Sequence, residues 1–233
     1  VTVKRDMLGD LYLYFVVEEA ISQAKQTMTG NSAGFDFGLK TFLTTSDGGC
    51  PLGALASPLY YRQALAALKV AQRALSSKVK GSNNWKKAKA NVTRLYQAVV
   101  NRRRDWFFKL AHELTDQYDH LFFEDLNMKG MQARWGRKVG DLARSEFMGI
   151  LGYIASTKNK VVHLVDRFYP SSKTCSACEQ VNQALKLSER RWVCAGCGSS
   201  HDRDHNAAVN IQREGASSLR LGAVRPAVQA SPV

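Results

Sequence analysis

The sequence predicts an α/β or α+β fold with a mixed sheet, because short strand patterns alternate with long helical patterns along the chain. Strand patterns, which are apolar runs bounded by turn residues, occur at residues 33–39, 41–45, 120–123 and 161–165. Helical patterns, in which apolar residues recur every three or four positions, occur at residues 58–77, 84–118 and 143–159. A polar break at residues 78–83 divides the first two helical segments, which therefore predict a helical hairpin, and this hairpin is basic.

The two ends of the chain carry weaker patterns. Residues 1–5 and 11–18 predict two strands that turn at Gly9-Asp10. An isolated hairpin is marginally stable, so we expect either that the chain is the back part of something larger or that the hairpin packs on the main domain. We expect a polar connector, a last helix and a disordered tail at residues 19–32, 204–214 and 215–233, respectively.

The balance of charge limits the partners that the protein can have. The chain of 233 residues holds 33 Lys and Arg against 20 Asp and Glu, which gives a formal net charge of +13. Such a surplus favours polyanions, nucleic acid above all, because counterions are released when phosphates are neutralised. A membrane partner is not expected, since no apolar run approaches the roughly 20 residues of a spanning helix and no secretory signal is visible.

Cysteine usage favours a reducing compartment. Four of the five cysteines have the spacing of metal ligands, and the fifth, Cys50, has no partner in the sequence pattern. Disulfides are therefore not expected, whereas a cytoplasmic location, in the prokaryotic cytosol or nucleoid, is.

The cysteine spacing is the most specific motif in the chain. Two Cys-x2-Cys pairs separated by 15 residues are typical of two knuckles that close a tetrahedron around zinc, and they are Cys175, Cys178, Cys194 and Cys197. Four thiolates leave no coordination position for water, so we expect the zinc to be structural. Gly198 follows the second pair and tolerates a left-handed turn, whereas Glu179 follows the first, which predicts a slightly strained first knuckle.

Three carboxylates occupy positions where an acid without a partner is costly. Asp36 interrupts an apolar strand, Glu124 ends another, and Asp204 opens the helix after the cysteine motif. Acids buried near one another repel each other and lose hydration unless divalent cations neutralise them. Such hard oxygen ligands suit Mg²⁺ or Mn²⁺, and two of these ions can activate a water and stabilise the leaving oxygen of a phosphodiester. The set therefore predicts hydrolytic cleavage of a nucleic-acid strand.

Each acid also has a simpler explanation that the sequence leaves open. Asp36 could cap a turn at the end of its strand, and Glu124, next to Asp125, could begin a solvated loop. Either Asp202 or Asp204 could be the N-cap of the following helix, and we expect that one of them is. The presence of all three acids in one basic chain favours the catalytic interpretation.

Several motifs, in this order, resemble those of one protein family. They are Gly34-Phe35-Asp36-Phe37-Gly38, Phe123-Glu124-Asp125-Leu126, Ser171-Ser172-Lys173-Thr174-Cys175-Ser176-x-Cys178, and Cys194-x2-Cys197-Gly198 followed by His201-Asp202-Arg203-Asp204-His205-Asn206-Ala207-Ala208-x-Asn210-Ile211. Over nearly its whole length the chain resembles the TnpB (OrfB) proteins of insertion sequences and the related type V CRISPR effector nucleases.

This resemblance implies a RuvC-like nuclease domain of RNase H-like fold, with an inserted zinc ribbon, that is guided to DNA by an RNA. It implies that Asp36, Glu124 and Asp204 are the catalytic acids that bind Mg²⁺ or Mn²⁺, and that the four cysteines bind zinc. Asp204 is preferred to Asp202 because it is the acid two residues before Asn206-Ala207-Ala208.

The resemblance also implies domain boundaries. We expect a remnant of an N-terminal wedge-type β region with a connector at residues 1–32, the nuclease domain at 33–170 with the helical hairpin at 58–118, the zinc ribbon at 171–200, the last nuclease motif and helix at 201–214, and the tail at 215–233. Full members carry an N-terminal region that grips the guide RNA and the heteroduplex. Autonomous guided cleavage is therefore left open, and a missing N-terminal region or a partner chain is a further expected partner.

Basic and aromatic residues in two regions are candidates for nucleic-acid contact. They are Lys78, Lys80, Lys86, Lys87, Arg102 and Arg103 of the helical hairpin, and Arg134, Trp135, Arg137 and Lys138 of the loop after Glu124. The alternative for the hairpin residues is an ordinary solvated helix face, and Trp135 could either stack on a base or anchor its loop. His201 and His205 could touch substrate phosphate, and His201 could also replace a cysteine at zinc.

Three functions compete on these observations. The first is an RNA-guided, metal-dependent endodeoxyribonuclease, and the second is a truncated or regulatory module that binds RNA or DNA without cutting. The third is a transposition protein that joins strands. Retention of Asp36, Glu124 and Asp204 favours the nuclease, because a binding module has no need to keep three acids in buried settings.

Overall fold

The computed structural model of the chain describes residues 1–17, 28–38, 41–48, 53–126, 136, 142–186 and 188–221. The predicted nucleic-acid contacts Arg134, Trp135, Arg137 and Lys138 lie outside the described residues, as do Cys50 and most of the connector. The chain divides into two compact units, Val1–Gln26 with Leu59–Phe107, and Thr27–Pro58 with Phe108–Val233.

The first unit contains the two hairpins that the sequence predicts. Strand β1 (Thr2–Arg5) pairs antiparallel with β2 (Leu11–Tyr14), and Gly9 adopts a φ of 96° in the turn between them. Helices α1 (Tyr60–Ser76) and α2 (Asn83–Gln117) form the helical hairpin, and α2 continues into the second unit. Both hairpins are confirmed, but the second strand is shorter than the predicted 11–18, because it ends at Tyr14 and residues 15–17 are not in a strand. None of the helices in the described ranges combines the length and the apolar composition needed to cross a bilayer.

The second unit is built on a five-stranded mixed sheet. Its strands are β3 (Ser32–Asp36), β4 (Thr41–Thr45), β5 (Ala54–Ala56), β6 (His120–Glu124) and β7 (Val161–Val165), and their order across the sheet is β5-β4-β3-β6-β7. Strands β3, β4 and β5 are antiparallel, whereas β6 and β7 run parallel to β3. The predicted mixed sheet is confirmed. Strand β5 was not predicted, because three residues are too few to show an alternating pattern.

Aromatic side chains fill the core of this unit. Phe35 of β3 stacks on Phe123 of β6 with ring centroids 4.8 Å apart, and Phe42 of β4 packs edge-on against Phe147 at 5.3 Å. All four side chains are fully buried, and burial of each stabilises the fold by about 2 to 3 kcal/mol. Phe147 belongs to helix α3 (Arg144–Thr157), which is the predicted helix at 143–159.

The last helix, α4 (Arg203–Ser218), is longer than the sequence predicts. Its predicted end was residue 214, and residues 215–218, which were assigned to the disordered tail, are helical. Gly215 and two serines have low helix propensity, but a Cβ at Gly215 would lie 2.1 Å from the Phe122 ring. Close packing of α4 on β6 therefore overrides the local preference.

A small antiparallel pair, β8 (Arg191–Val193) and β9 (Ser200–Asp202), brackets the second cysteine knuckle. These strands were not predicted, because each is only three residues long. Residue Asp202 ends β9 and immediately precedes α4, so the ribbon and the helix are continuous in the chain.

Candidate metal centre and acidic cleft

Two of the predicted acids lie side by side at one edge of the sheet. The parallel strands β3 and β6 pair Phe35 with Phe123, so the residues that follow, Asp36 and Glu124, end neighbouring strands at the same edge. Apolar side chains of both strands are buried, which fixes the register and therefore the position of the acids. The two positions are set by the core and not by a local turn.

The third acid, Asp204, lies in the first turn of α4. Asp202 is the N-cap of this helix, and its carboxylate accepts hydrogen bonds from the main-chain N–H groups of Asp204 and His205, both at 3.1 Å. One of the two acids was expected to cap the helix, and this expectation is confirmed for Asp202. The carboxylate of Asp204 is thereby available for other contacts.

The three acids line one cleft. The cleft has a volume of about 680 Å³, and Asp36, Glu124 and Asp204 all contribute to its wall. Cationic side chains contribute as well, and they are Arg167, Lys173, Arg190 and Arg203. A phosphate group that enters this cleft would therefore meet both the acids and the cations that neutralise its charge.

The acids are close enough to influence each other. Burial raises the pKa of Asp36 from 3.8 to about 7, with further contributions from repulsion by Asp204 and Glu124. Burial also raises the pKa of Glu124, an effect that the positive charge of Arg144 opposes. A cluster of carboxylates that repel one another in a buried setting favours the binding of a divalent cation with oxygen ligands. The donor set therefore fits Mg²⁺ or Mn²⁺.

In this structure the oxygen atoms of the three acids are not close enough together to bind one metal ion jointly. Among the described residues, the four cysteines are the one group of three or more side chains whose ligand atoms lie close enough together to hold a metal ion. Asp204 is instead engaged by Arg190, whose Nη1 donates to both carboxylate oxygens at 2.7 and 2.8 Å. Asp204 must therefore share or release this arginine before it can bind a cation.

Sequence reasoning missed two arginines of the site. Arg190 lies just before β8, and Arg144, which is 6% exposed, begins α3. The Arg144 Nη2 donates to the main-chain carbonyl of Glu124, and its guanidinium lies 4.1 Å from the centroid of the Phe37 ring. Burial lowers the pKa of Arg144 to about 10, against the opposing effect of Glu124 and Asp36. In a chain with 33 Lys and Arg residues, no local sequence pattern distinguished these two arginines from the other basic residues.

The four cysteines come together as predicted. Their Sγ atoms lie within 4.8 Å of one another, and the pairs Cys175–Cys197 and Cys178–Cys194 are each 3.6 Å apart. Zinc–sulfur bonds of about 2.3 Å in a tetrahedron would place the sulfurs about 3.8 Å apart, so the site fits zinc. All four positions are thiol side chains, which leaves zinc a structural role.

Both knuckles contain a residue in the left-handed region. In the first, Glu179 has a φ of 65° and its N–H donates to the carbonyl of Cys175 at 2.8 Å. In the second, Gly198 has a φ of 74° and donates to Cys194 at 2.9 Å. The two turns are thus equivalent, and the strain predicted for the first knuckle is confirmed by the positive φ of Glu179.

The two candidate histidines have different surroundings. His201 lies beside the cysteines, with its Nε2 3.1 Å from Cys175 Sγ and its ring centroid 4.8 Å from that of Trp192. His205 is in the first turn of α4, and its Nδ1 lies 3.2 Å from the main-chain oxygen of Thr45. His201 is therefore placed to hydrogen-bond the thiolate of Cys175 and so to orient this zinc ligand. In this position it supports the four cysteines and does not replace one of them.

The described nucleic-acid candidates lie on the helical hairpin of the first unit. Lys78 and Lys80 are in the connection between α1 and α2, whereas Lys86, Lys87, Arg102 and Arg103 are on α2. All are exposed except Arg103, which is half-buried. Arg102 also lies 5.8 Å from the centroid of the Tyr60 ring, a cation–π contact that orients it.

The fold and the site together define a protein with an acidic cleft at one edge of a mixed sheet and, beside it, a four-cysteine cluster that could hold a metal ion. Residues 14–134 match the model of the OrfB_IS605 family, described as a probable transposase, and residues 145–211 match the TNB domain of Cas12f1-like proteins. The chain belongs to the OrfB_IS605 family, which confirms the resemblance found in its motifs.

Curated relatives match nearly the whole chain. A protein of Streptomyces pristinaespiralis whose provisional name is RNA-guided DNA endonuclease is 34% identical, over 99% of this chain and 56% of its own length. InsQ of Escherichia coli K12, which bears the same provisional name, is 28% identical over 92% of this chain and 56% of its own length. The chain thus spans little more than half the length of these relatives.

Solved structures of CRISPR effectors share the fold. The chain is similar to a protein in the cryo-EM structure of a CRISPR-Cas12f ternary complex, with a TM-score of 0.59 and 18% identity over 90% of this chain and 44% of that one. A second similar protein, in a Cas12f1-sgRNA-target DNA complex, gives a TM-score of 0.56 with 17% identity over 77% of this chain and 49% of that one.

Proposed function

We propose that the chain is the catalytic portion of an RNA-guided DNA endonuclease with a RuvC-type, RNase H-like nuclease domain. The observation that carries this proposal is that Asp36, Glu124 and Asp204 line one cleft. Burial in this cleft and repulsion by the other two acids raise the pKa of Asp36. The provisional names of the relatives and the guide RNA and target DNA of a similar solved structure support it.

The acids and one arginine of the cleft would have different roles in this reaction. Asp36 and Glu124, fixed at neighbouring strand ends, hold divalent ions on one side of the cleft, and Asp204 holds them from α4. Two bound ions would supply activation of a water and stabilisation of the leaving oxygen of the phosphodiester. Arg144 holds the main chain of Glu124, so that this acid keeps its position as ions and substrate enter.

Recognition of the nucleic acid would rest on charge and not on sequence. The exposed lysines of the helical hairpin, Lys78, Lys80, Lys86 and Lys87, would contact phosphates, which carry most of the affinity in such complexes. In RNA-guided systems the target is chosen by base pairing. We therefore expect these residues to determine affinity and salt dependence and to leave target choice to the guide.

Cleavage of labelled single- and double-stranded DNA in Mg²⁺ or Mn²⁺, with and without co-expressed RNA, tests the proposal. We expect metal-dependent cutting that Asp36→Asn and Glu124→Gln each reduce by at least about a hundredfold, since each removes a charge that the metal site requires. Asp125→Asn is the matched control, because Asp125 is adjacent to Glu124 but pairs with the exposed Arg167. Equal cutting by all four proteins would contradict the proposal.

The main competing function is a module that binds RNA or DNA without cutting. The observation that favours it is that the chain spans little more than half the length of its relatives. Absence of cutting, with equal nucleic-acid binding by the wild type and both acid variants, would support this alternative. Strand-transfer products in the same assay would instead indicate a transposition enzyme.

A further inference from the structure

The cysteine ribbon and the third acid of the cleft are joined by buried hydrogen bonds that no part of the proposed reaction uses. We propose that zinc binding at the ribbon sets the position of Asp204, and that Asn206 and Asn210 are the positioning residues that transmit this effect. The inference deepens the proposed function, on which its significance for cleavage rests, because Asp204 belongs to the same acidic cleft.

Asn206 forms hydrogen bonds with the main chain of the first cysteine knuckle. Its side chain is 1% exposed, and its Nδ2 donates to the main-chain oxygen of Thr174 at 2.7 Å. Its Oδ1 accepts a hydrogen bond from the main-chain N–H of Ser176 at 2.9 Å. Thr174 and Ser176 flank the zinc ligand Cys175, so one amide group bridges the two peptide groups on either side of this ligand.

Asn210 repeats the contact one turn later. It is fully buried, and its Nδ2 donates to the main-chain oxygens of Ser171 at 2.8 Å and Thr174 at 2.6 Å. Among the described residues its Oδ1 has no hydrogen-bond partner. A buried acceptor without a partner is costly, so any stabilising contribution of this side chain comes from its donor contacts with the main chain at and before the first knuckle.

A second connection reaches Asp204 from the other end of the ribbon. The main-chain N–H of Arg203, the residue before Asp204, donates to the carbonyl of Arg190 at 2.8 Å. This main-chain bond does not depend on the Arg190 side chain, whose pair with Asp204 a cation would displace. The start of α4 is therefore held by β8 and β9 on one side and by the first knuckle on the other. Asp204 lies between these two attachments.

Zinc is required for this arrangement because metal binding and ribbon folding are one process. Without zinc, four thiols in two short knuckles have little hydrophobic core to order them, and structural zinc sites of this kind fold with their metal. The carbonyl of Thr174 and the N–H of Ser176 are then no longer presented to Asn206. When groups that orient a metal ligand are lost, metal affinity falls by about 10- to 100-fold. If the zinc-bound ribbon orients Asp204, zinc removal should therefore weaken divalent-ion binding in the cleft by an amount in this range.

Hydrogen exchange measured by mass spectrometry tests the inference on the purified chain. We compare zinc-loaded protein with protein from which a chelator has removed zinc, and we follow the amides of residues 207–212 in α4. We expect zinc removal to speed their exchange by about tenfold, while the amides of residues 150–155 in α3, which have no bond to the ribbon among the described residues, remain unchanged. Unchanged exchange in α4, or an equal increase in α3 and α4, would overturn the inference.

Single substitutions then separate the asparagines from the ribbon itself. In Asn206→Ala and Asn210→Ala, the absorption bands of Co²⁺ bound in place of zinc show whether the four-thiolate site persists. With these bands unchanged, we expect exchange in α4 to be fast already and to change less than about twofold when the metal is removed. Gln212→Ala is the matched control, because Gln212 donates from the same helix to the main-chain oxygen of Ser32 at 2.8 Å and not to the ribbon.

Mn²⁺ affinity, measured by the EPR signal of free Mn²⁺, links the inference to the cleft. We expect zinc removal to weaken Mn²⁺ binding about tenfold in the wild type and in Gln212→Ala, but less than about twofold in Asn206→Ala. Failure of the zinc-loaded wild type to bind Mn²⁺ would count against the proposed function alone, since the exchange experiment decides the positioning of α4 independently. Equal zinc dependence in Asn206→Ala and Gln212→Ala would contradict the role of the asparagine.

Discussion

Arg190 binds Asp204 through a single nitrogen, Nη1, which lies 2.7 and 2.8 Å from the two carboxylate oxygens. The oxygens that a divalent ion would use are therefore already neutralised by a guanidinium. Asp204 and Arg190 also line the cleft that holds Asp36 and Glu124. At the divalent-metal site that we propose, the guanidinium of Arg190 would compete with a metal ion for Asp204, and its release would place a positive charge in the cleft beside an incoming phosphate.

Removal of this competitor should tighten metal binding. We expect Arg190→Gln to raise the Mn²⁺ affinity of the zinc-loaded protein about 1.4- to fivefold, because a partly exposed ion pair is worth about 0.2 to 1 kcal/mol. EPR titration of free Mn²⁺ measures the change. Arg167→Gln is the control, since Arg167 lines the same cleft but pairs with Asp125; weaker Mn²⁺ binding in Arg190→Gln would show that the arginine supports the site.

The raised pKa of Asp36 predicts a pH dependence of stability in the absence of divalent ions. The carboxyl has an ordinary pKa of 3.8 in the unfolded chain and one of about 7 in the folded protein. Its protonation therefore stabilises the fold fully below pH 3.8, and this contribution is lost progressively until the pH has risen through about 7. We expect Asp36→Asn to reduce the fall in Tm between pH 5 and pH 8 by about 5 to 10 °C.

Thermal unfolding of the zinc-loaded proteins, followed by circular dichroism, checks this pH dependence. Ser218→Ala serves as a control, because the Ser218 hydroxyl bonds only to the main chain of its own helix in the described structure. Parallel pH curves for the wild type and Asp36→Asn would contradict the raised pKa.

Close packing of β3 against α4 predicts a severe effect at Gly34. A Cβ there would lie 2.1 Å from the main-chain oxygen of Ala208 and 2.4 Å from the main-chain nitrogen of Gln212, and neither atom can move without displacing the helix. We expect Gly34→Ala to destabilise the fold by about 3 kcal/mol or more. Gly149→Ala is the matched control, since a Cβ there meets no atom within 4 Å and should stabilise α3 by about 0.5 to 1 kcal/mol. Urea unfolding of both variants distinguishes these outcomes.

One substitution in the first cysteine knuckle should stabilise its zinc-bound form. Glu179 has a φ of 65°, the region that Gly198 occupies in the second knuckle. We expect Glu179→Gly to stabilise the zinc-loaded ribbon by up to about 1 kcal/mol, because the left-handed conformation costs about 1 to 2 kcal/mol for a residue with a side chain and the flexible glycine offsets part of the gain. The exposed ion pair with Arg213 is a minor loss.

Competition with a chromophoric zinc chelator measures the gain as a slower loss of zinc. Gly198→Ala is the complementary variant, which should lose zinc faster than the wild type. A faster loss from Glu179→Gly than from the wild type would contradict the equivalence of the two knuckles.

Much of this architecture could be predicted because the residues concerned obey a local period or a fixed spacing. The long helices, the buried strands and the two Cys-x2-Cys pairs all have this property, and the structure places them as expected. Asp36 and Glu124 could be found because one interrupts and the other ends an apolar strand pattern. The structure adds that β3 ends at Asp36 and that the two strands are parallel, so both acids lie at one edge of the sheet.

The features that escaped prediction depend on contacts between distant parts of the chain. Arg190 pairs with Asp204 fourteen positions away, and Arg144 reaches Glu124 twenty positions away, so neither leaves a local signature. The end of α4 at Ser218 depends on packing of Gly215 against Phe122. The short strands β5, β8 and β9 depend on their partners, because three residues carry too little pattern.

We propose above that Asp36, Glu124 and Asp204 together form one divalent-metal site. The most direct measurement is the anomalous scattering of Mn²⁺ in crystals of the zinc-loaded chain. We expect anomalous peaks within about 2.2 Å of carboxylate oxygens of Asp36, Glu124 and Asp204, with Arg190 withdrawn from Asp204. Peaks elsewhere, with the three carboxylates free of metal and the pair of Arg190 and Asp204 intact at saturating Mn²⁺, would contradict this proposal.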